Sequence, residues 1–125
     1  MEHIYQRCAH FADTDAAGVV HFAKILCYAE EAEHDLLARL GIPLLAGGGW
    51  PRVKLSCEYI APVKAGDELQ VTISPDQLGR SSITWKFSIS CKGKLVASGE
   101  MKTVRVDGDG KSSQLEQSWC AALSG

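Results

Sequence analysis

A chain of 125 residues holds one hydrophobic core, so residues 1–125 are read as one domain. With 46% hydrophobic and 22% charged residues it has an ordinary soluble composition, and a formal net charge of −2 excludes a strongly electropositive nucleic-acid binder. No apolar run approaches the ~20 residues that cross a bilayer as a helix, so no membrane partner is expected.

The opening "MEHIYQRC" lacks the charged-then-apolar pattern of a signal segment and reads as the start of the domain, with a short strand over 3–9. Residues 19–40 read as one long helix. Phe22, Ile25, Ala29, Ala32, Leu36 and Leu40 recur at spacings of three and four and fall on one face, while Gly41 and Pro43 stop it. At ~1.5 Å per residue it is a rod of about 33 Å, which needs a sheet to cover its apolar face.

The rest of the chain supplies that sheet. Residues 53–63 alternate apolar and polar up to Pro62, and 67–75 follow the turn at Ala65-Gly66. In 81–91, Ile83, Trp85, Phe87, Ile89 and Cys91 face one way and Thr84, Lys86, Ser88 and Ser90 the other. After the hairpin signal Lys92-Gly93 a last strand covers 94–106. Consecutive strands joined by short turns imply antiparallel pairing. Residues 113–123 form a short terminal helix. A strand, a long helix and four strands make the fold class α+β. The cysteines (Cys8, Cys27, Cys57, Cys91 and Cys120) show no C-x-x-C, which suits free thiols in a reducing cytoplasm and neither a disulfide frame nor a zinc site.

The stretch "FADTDAAGVVHF" (11–22) is either only the front end of a helix or the place where a carboxylate does chemistry. An acid before a helix commonly caps free backbone N–H groups and suits the positive end of the helix dipole, and Asp13 fits that or a turn role. Ala16-Ala17-Gly18 then lets the backbone bend tightly and a ligand come close. The helix begins behind it with unpaired N–H groups, which stabilise developing negative charge. A carboxylate beside such donors is the pairing that acyl transfer needs.

The segment "ADTDAAGVVHFAKILCYAEEAE" resembles the 4-hydroxybenzoyl-CoA thioesterase family of hot-dog proteins, through Asp13, Asp15, Gly18, Val19 and Val20. The resemblance implies the hot-dog fold, an antiparallel sheet of about five strands wrapped round the long helix. It implies hydrolysis of an acyl-CoA thioester without a metal or organic cofactor. Asp15 would be the catalytic acid, as nucleophile or as general base toward water. The thioester oxygen would be held by backbone N–H groups from Gly18 through His21 to Phe22. The "ADTDAAGVV" wording is closer to the branch acting on aromatic acyl groups, including 1,4-dihydroxy-2-naphthoyl-CoA. It departs from tol-pal-associated members, which carry a histidine at the position of Phe22 and an arginine at that of Glu33. The family also implies a homodimer with sheets joined edge to edge and sites at the subunit interface, often paired into a tetramer. Its CoA phosphates meet basic residues near the start of the fourth strand, which singles out Arg80, with Lys64, Lys92 and Lys94 as weaker candidates.

Other residues have two readings each. Glu33 lies near the centre of the apolar stripe, where a buried carboxylate would be a general base; the rarity of unpaired buried acids argues instead for the stripe's wet edge. Glu30 maps to the family's helix glutamate, or is a structural partner of His34 at i+4. His21, in the first helical turn, either lines the pocket or is a surface residue without a carboxylate partner. Trp50 caps an aromatic pocket or packs. Tyr59 is read as a sheet residue. His10, Asp13 and Asp15 match no metal-ligand spacing, so no metal is expected. Two rival functions remain: a hydratase or dehydratase, which needs a histidine–acid pair such as His21 with Glu33, and a non-catalytic acyl-CoA-binding module.

Overall fold

The computed structural model describes residues 1–125. In chain order the elements are β1 (His3–Cys8), a 3₁₀ turn (Phe11–Asp13), α1 (Phe22–Arg39), β2 (Arg52–Tyr59), β3 (Glu68–Leu78), β4 (Ser82–Cys91), β5 (Lys94–Val104) and α2 (Gln117–Ser124). The five strands form one antiparallel sheet in the order β1-β3-β4-β5-β2. The helix α1 lies across the inner face over β1, β3 and β4, the hot-dog layout.

The core is built from the two periodicities read in the sequence. Ile25, Tyr28, Ala29, Ala32, Leu36 and Leu37 of α1 are buried against Leu69, Val71 and Ile73 of β3 and Ile83, Trp85, Phe87 and Ile89 of β4. Small residues at 29 and 32 let the helix axis approach the sheet. The indole N–H of the fully buried Trp85 donates to Thr103 Oγ1 at 3.1 Å, so neither polar group is left unpaired.

Three expectations change. First, α1 begins at Phe22, not at Val19, and its 18 residues measure about 27 Å. Val20 N–H donates to Val63 O at 2.7 Å and Val20 bridges Thr14, which holds Val19 and Val20 extended. Second, the strand expected over 53–63 ends at Tyr59, and β3 continues past Pro75 through an irregularity between Pro75 and Gln77. Third, β2 does not pair with β3. It lies at the far edge against β5, since the α1 crossover carries the chain over the whole sheet.

The return from β2 to β3 therefore crosses one end of the sheet. Ile60 and Ala61 donate their N–H groups to Val96 O, Val63 O accepts from Val20, and Gly66 N–H donates to Ala9 O. This strap runs from the β5 side to the β1 side beneath the N-terminus of α1. No helix is long and apolar enough to cross a membrane.

Candidate active site

The loop between the 3₁₀ turn and α1 is a tight turn whose geometry follows from its residues. Asp15 N–H donates to Val19 O at 2.8 Å, and Gly18 N–H returns to Asp15 O at 3.0 Å. Gly18 closes the turn with φ +83°, a conformation that costs glycine nothing. The Asp15 Oδ1 atom accepts from Ala17 N–H at 2.9 Å, a side-chain-to-backbone bond typical of Asp in turns. Its other carboxylate oxygen makes no hydrogen bond within the chain, and the residue is exposed.

Asp15 stands at the mouth of a cavity of about 390 Å³ between this loop, the first turn of α1 and the strap. Nine of its eleven lining residues are hydrophobic, among them Val20, Phe22, Ile25, Ile60 and Val96, so it suits an apolar ligand part. Tyr59 also lines it, beyond its expected role as a sheet residue. The Tyr59 hydroxyl donates to Phe22 O at 3.0 Å, and the two rings meet edge-on at 6.4 Å. Partial desolvation pushes the Tyr59 phenol up to about 12, so it stays a donor at neutral pH.

The expected row of oxyanion donors narrows to one. Gly18 N–H is used by Asp15 O, and His21 N–H donates to Asp13 O at 2.9 Å. Phe22, the first residue of α1, has an amide with no acceptor in the chain, at the positive end of the helix dipole. His21 is the N-cap and not a residue of the first turn: its Nδ1 accepts from Ala23 N–H at 3.1 Å, so the neutral ring carries its proton on Nε2.

Asp13 is not the cap of α1. It is buried, and its Oδ2 accepts from Tyr28 Oη at 2.6 Å and from His10 N–H at 3.2 Å. Those bonds, the Tyr28 hydroxyl foremost, hold its carboxyl below the usual range.

The remaining candidates are placed elsewhere. Glu33 is fully buried, not at a wet edge, and Arg52 accounts for this: its Nη2 donates to Glu33 Oε1 at 2.6 Å. The same nitrogen donates to Glu30 Oε2 at 3.0 Å, so Glu30 pairs with Arg52 and not with His34. Burial raises the Glu33 carboxyl, the Arg52 cation opposes that, and Glu33 Oε2 has no partner. Glu33 lies twelve residues beyond His21, about 18 Å along α1, so the histidine–acid pair of a hydratase is not assembled. Trp50 lines a separate hollow with His34, Leu44 and Leu45. Its indole N–H donates to Pro43 O at 2.9 Å, and it packs with Trp119 around the Arg105 guanidinium. A pair of touching Trp rings against a buried Arg left no periodic signal in the sequence.

Arg80 is exposed beyond the end of β3, whose 11 residues span about 35 Å. The Asp15 loop lies at the other end, where Ala9 meets Asp67. Within one chain Arg80 does not reach this cavity. Lys64 follows Val63 of the cavity wall, and Lys92 and Lys94 flank the β4–β5 turn at that same end of the sheet.

Residues 17–98 match the family model of the thioesterase superfamily. A 1,4-dihydroxy-2-naphthoyl-CoA hydrolase of Thermosynechococcus vestitus is 40% identical over 94 residues, which span 71% of this chain and 64% of that one. One from a Synechococcus species is 33% identical over 115 residues, 84% of this chain and 77% of that protein. The crystal structure of a 1,4-dihydroxy-2-naphthoyl-CoA thioesterase from Synechocystis superimposes with a TM-score of 0.90 at 28% identity, covering 99% of this chain and 96% of that one. These matches, with a fold that superimposes over nearly the whole chain, agree with the expected family, and the chain belongs to the thioesterase superfamily.

Proposed function

We propose that the protein hydrolyses an acyl-CoA thioester to the free acid and CoA, with an aromatic acyl group preferred. One observation carries this reading: Asp15, with one carboxylate oxygen unbonded, and Phe22, whose amide has no acceptor in the chain, both line one apolar cavity. The acyl part occupies the cavity with its carbonyl oxygen on Phe22 N–H. Asp15 attacks the carbonyl carbon, or takes the proton of a water that attacks it. The carbon–sulfur bond then breaks, and the electron pair leaves on the CoA sulfur; on the first route water next opens the acyl–aspartyl anhydride to give the acid and restore Asp15, and on the second the acid is formed directly. A thiolate leaves without a strong acid, so the reaction calls for no metal or organic cofactor. The relatives named as 1,4-dihydroxy-2-naphthoyl-CoA hydrolases support a bicyclic aromatic acid. Thiol release from dihydroxynaphthoyl-, hydroxybenzoyl-, phenylacetyl- and medium-chain aliphatic CoA esters tests it. The aromatic esters are expected to give the higher kcat/KM by about 10-fold or more. Equal rates across the panel overturn the aromatic preference, and no release from any ester overturns the activity.

The reading includes a homodimer. Strand β2 is a sheet edge, and its Val53, Leu55 and Tyr59, with Ile60 just after it, are 58%, 43%, 48% and 53% exposed. An open edge with apolar side chains invites a second copy, and Phe22, 62% exposed beside it, would be covered too. A tetramer is a pair of such dimers. Lys64, Lys92 and Lys94 are the CoA phosphate contacts within the chain, and Arg80 serves only if it comes from another subunit. Sedimentation equilibrium at micromolar concentration is expected to return at least twice the chain mass; a monomer mass sinks the dimer.

A further inference from the structure

The mechanism above uses Asp15 and Phe22 but not the network behind them. Asp13 Oδ2 takes three donors: Tyr28 Oη at 2.6 Å, His10 N–H at 3.2 Å and, as an ion pair, Arg7 Nη2 at 3.5 Å. Arg7 stacks over the Tyr28 ring at 4.7 Å, and its Nε donates to Glu31 Oε1 at 2.8 Å, where Tyr5 Oη also donates at 3.0 Å. Arg7 of β1 and Tyr28 of α1 thereby meet at the Asp13 carboxylate, and Arg7 and Tyr5 are joined to α1 again through Glu31. The main chain of Asp13 does a second job: its C=O accepts the N–H of His21, the N-cap of α1. The turn that carries Asp15 is therefore rooted at a residue that is also tied to Tyr28 within α1 and to the N-cap of that helix. Thr14 and Val20 bridge directly above that root.

We propose that Asp13, held by the Tyr28 hydroxyl, is the positioning residue of the site, setting the Asp15 carboxylate against the Phe22 amide. This rests on the thioesterase reading above. Asp13 does not line the cavity, and its oxygen is already engaged by three donors, so it acts through the backbone and not on substrate. Acyl transfer needs the attacking group and the oxyanion donor each held to within a fraction of an ångström of its productive position. A loop fastened only by its own turn hydrogen bonds would let Asp15 drift from Phe22. The Tyr28–Asp13 bond removes that freedom from inside the fold.

The test compares the full-length chain with Tyr28→Phe, Asp13→Asn, Asp13→Ala and Asp15→Asn, at a temperature where each is folded. Kinetics use hydroxybenzoyl-CoA, and amide hydrogen exchange is read at Ala17, Val20 and His21. Tyr28→Phe and Asp13→Ala are expected to lower kcat by about 10-fold or more with KM within about 2-fold. The double variant Tyr28→Phe/Asp13→Ala loses no more than the worse single, as for two ends of one bond. Asp13→Asn keeps most of kcat, because its amide oxygen accepts the same two hydrogen bonds. Exchange at the three amides speeds up in Tyr28→Phe and Asp13→Ala and stays near wild type in Asp13→Asn. Wild-type kcat and exchange in Tyr28→Phe overturn the proposal. So does an Asp13→Asn as inactive as Asp15→Asn, since Asp13 would then be a reacting group. If Asp15→Asn alone retains the wild-type rate, the assignment of Asp15 falls, while the exchange data still judge whether Asp13 and Tyr28 fasten the loop.

Discussion

Asp15→Asn is expected to lower thioester hydrolysis by about 10³-fold or more while leaving the fold intact. The side chain is exposed and contributes nothing to the core, and the one hydrogen bond it makes survives the change. An asparagine Oδ1 accepts Ala17 N–H as the carboxylate did, so the turn closed by Gly18 keeps its shape. What is lost is the negative charge on the free oxygen, hence both the nucleophile and the base. The Phe22 amide still polarises the thioester, so KM moves little and the loss falls on kcat. Thiol release with matched thermal melts measures both quantities. A folded variant within about 10-fold of wild type would remove Asp15 from the chemistry. One turnover in ¹⁸O-labelled water, with hydroxylamine trapping, separates the two routes of attack. Label in the Asp15 carboxylate identifies it as the nucleophile, through an anhydride opened at the aspartyl carbon; label in the product acid alone is given by a base and also by an anhydride opened at the acyl carbon, and trapping an acyl-enzyme with hydroxylamine tells those two apart.

The second large effect concerns stability. Arg52→Met is expected to cost about 3 kcal/mol or more at pH 8, since it strands the fully buried Glu33 carboxylate without its cation. The loss depends on pH with a definite sign. The Glu33 carboxyl is already raised by burial, so the folded state holds its proton more tightly than the unfolded chain does. Its stabilising contribution is complete below the unfolded value near 4.5 and is lost as pH rises through the folded one. Arg52 restrains that rise, so its removal pushes the carboxyl further up and widens the pH range of the loss. Urea melts at pH 5.5 and pH 8 are expected to show a larger gap between the two in Arg52→Met than in wild type. Glu33→Leu on that background restores most of the stability, because an apolar pair replaces an unpaired charge. A variant equally stable at both pH values, or no rescue by Leu, contradicts the account of Glu33.

Glu33 also shows where the sequence stops being informative. Its place on the helical stripe was legible from the 3.6-residue period, yet the choice between core and wet edge was not. That choice depends on Arg52, nineteen positions away on a strand whose placement no local pattern states. Tyr59 is similar: alternation marks it as a strand residue, but only the strap at the end of the sheet turns it toward Phe22. The family resemblance singles out Arg80 for the CoA phosphates, whereas the sheet register puts it at the end away from Asp15.

By itself the sequence determined the elements and the turn that carries the carboxylate. Both follow from short-range physics: side-chain period, the left-handed backbone of Gly18, and an aspartate bonding the amide two residues on. Only the tertiary structure decided that β2 lies at the far edge and that Phe22 keeps the single open amide of the three proposed. It also decided that Asp13 is a buried anchor while Asp15, two residues later, faces the cavity. These depend on partners distant in sequence, Val63, Tyr28 and Arg7 among them, and their hydrogen bonds exist only once the helix lies on the sheet.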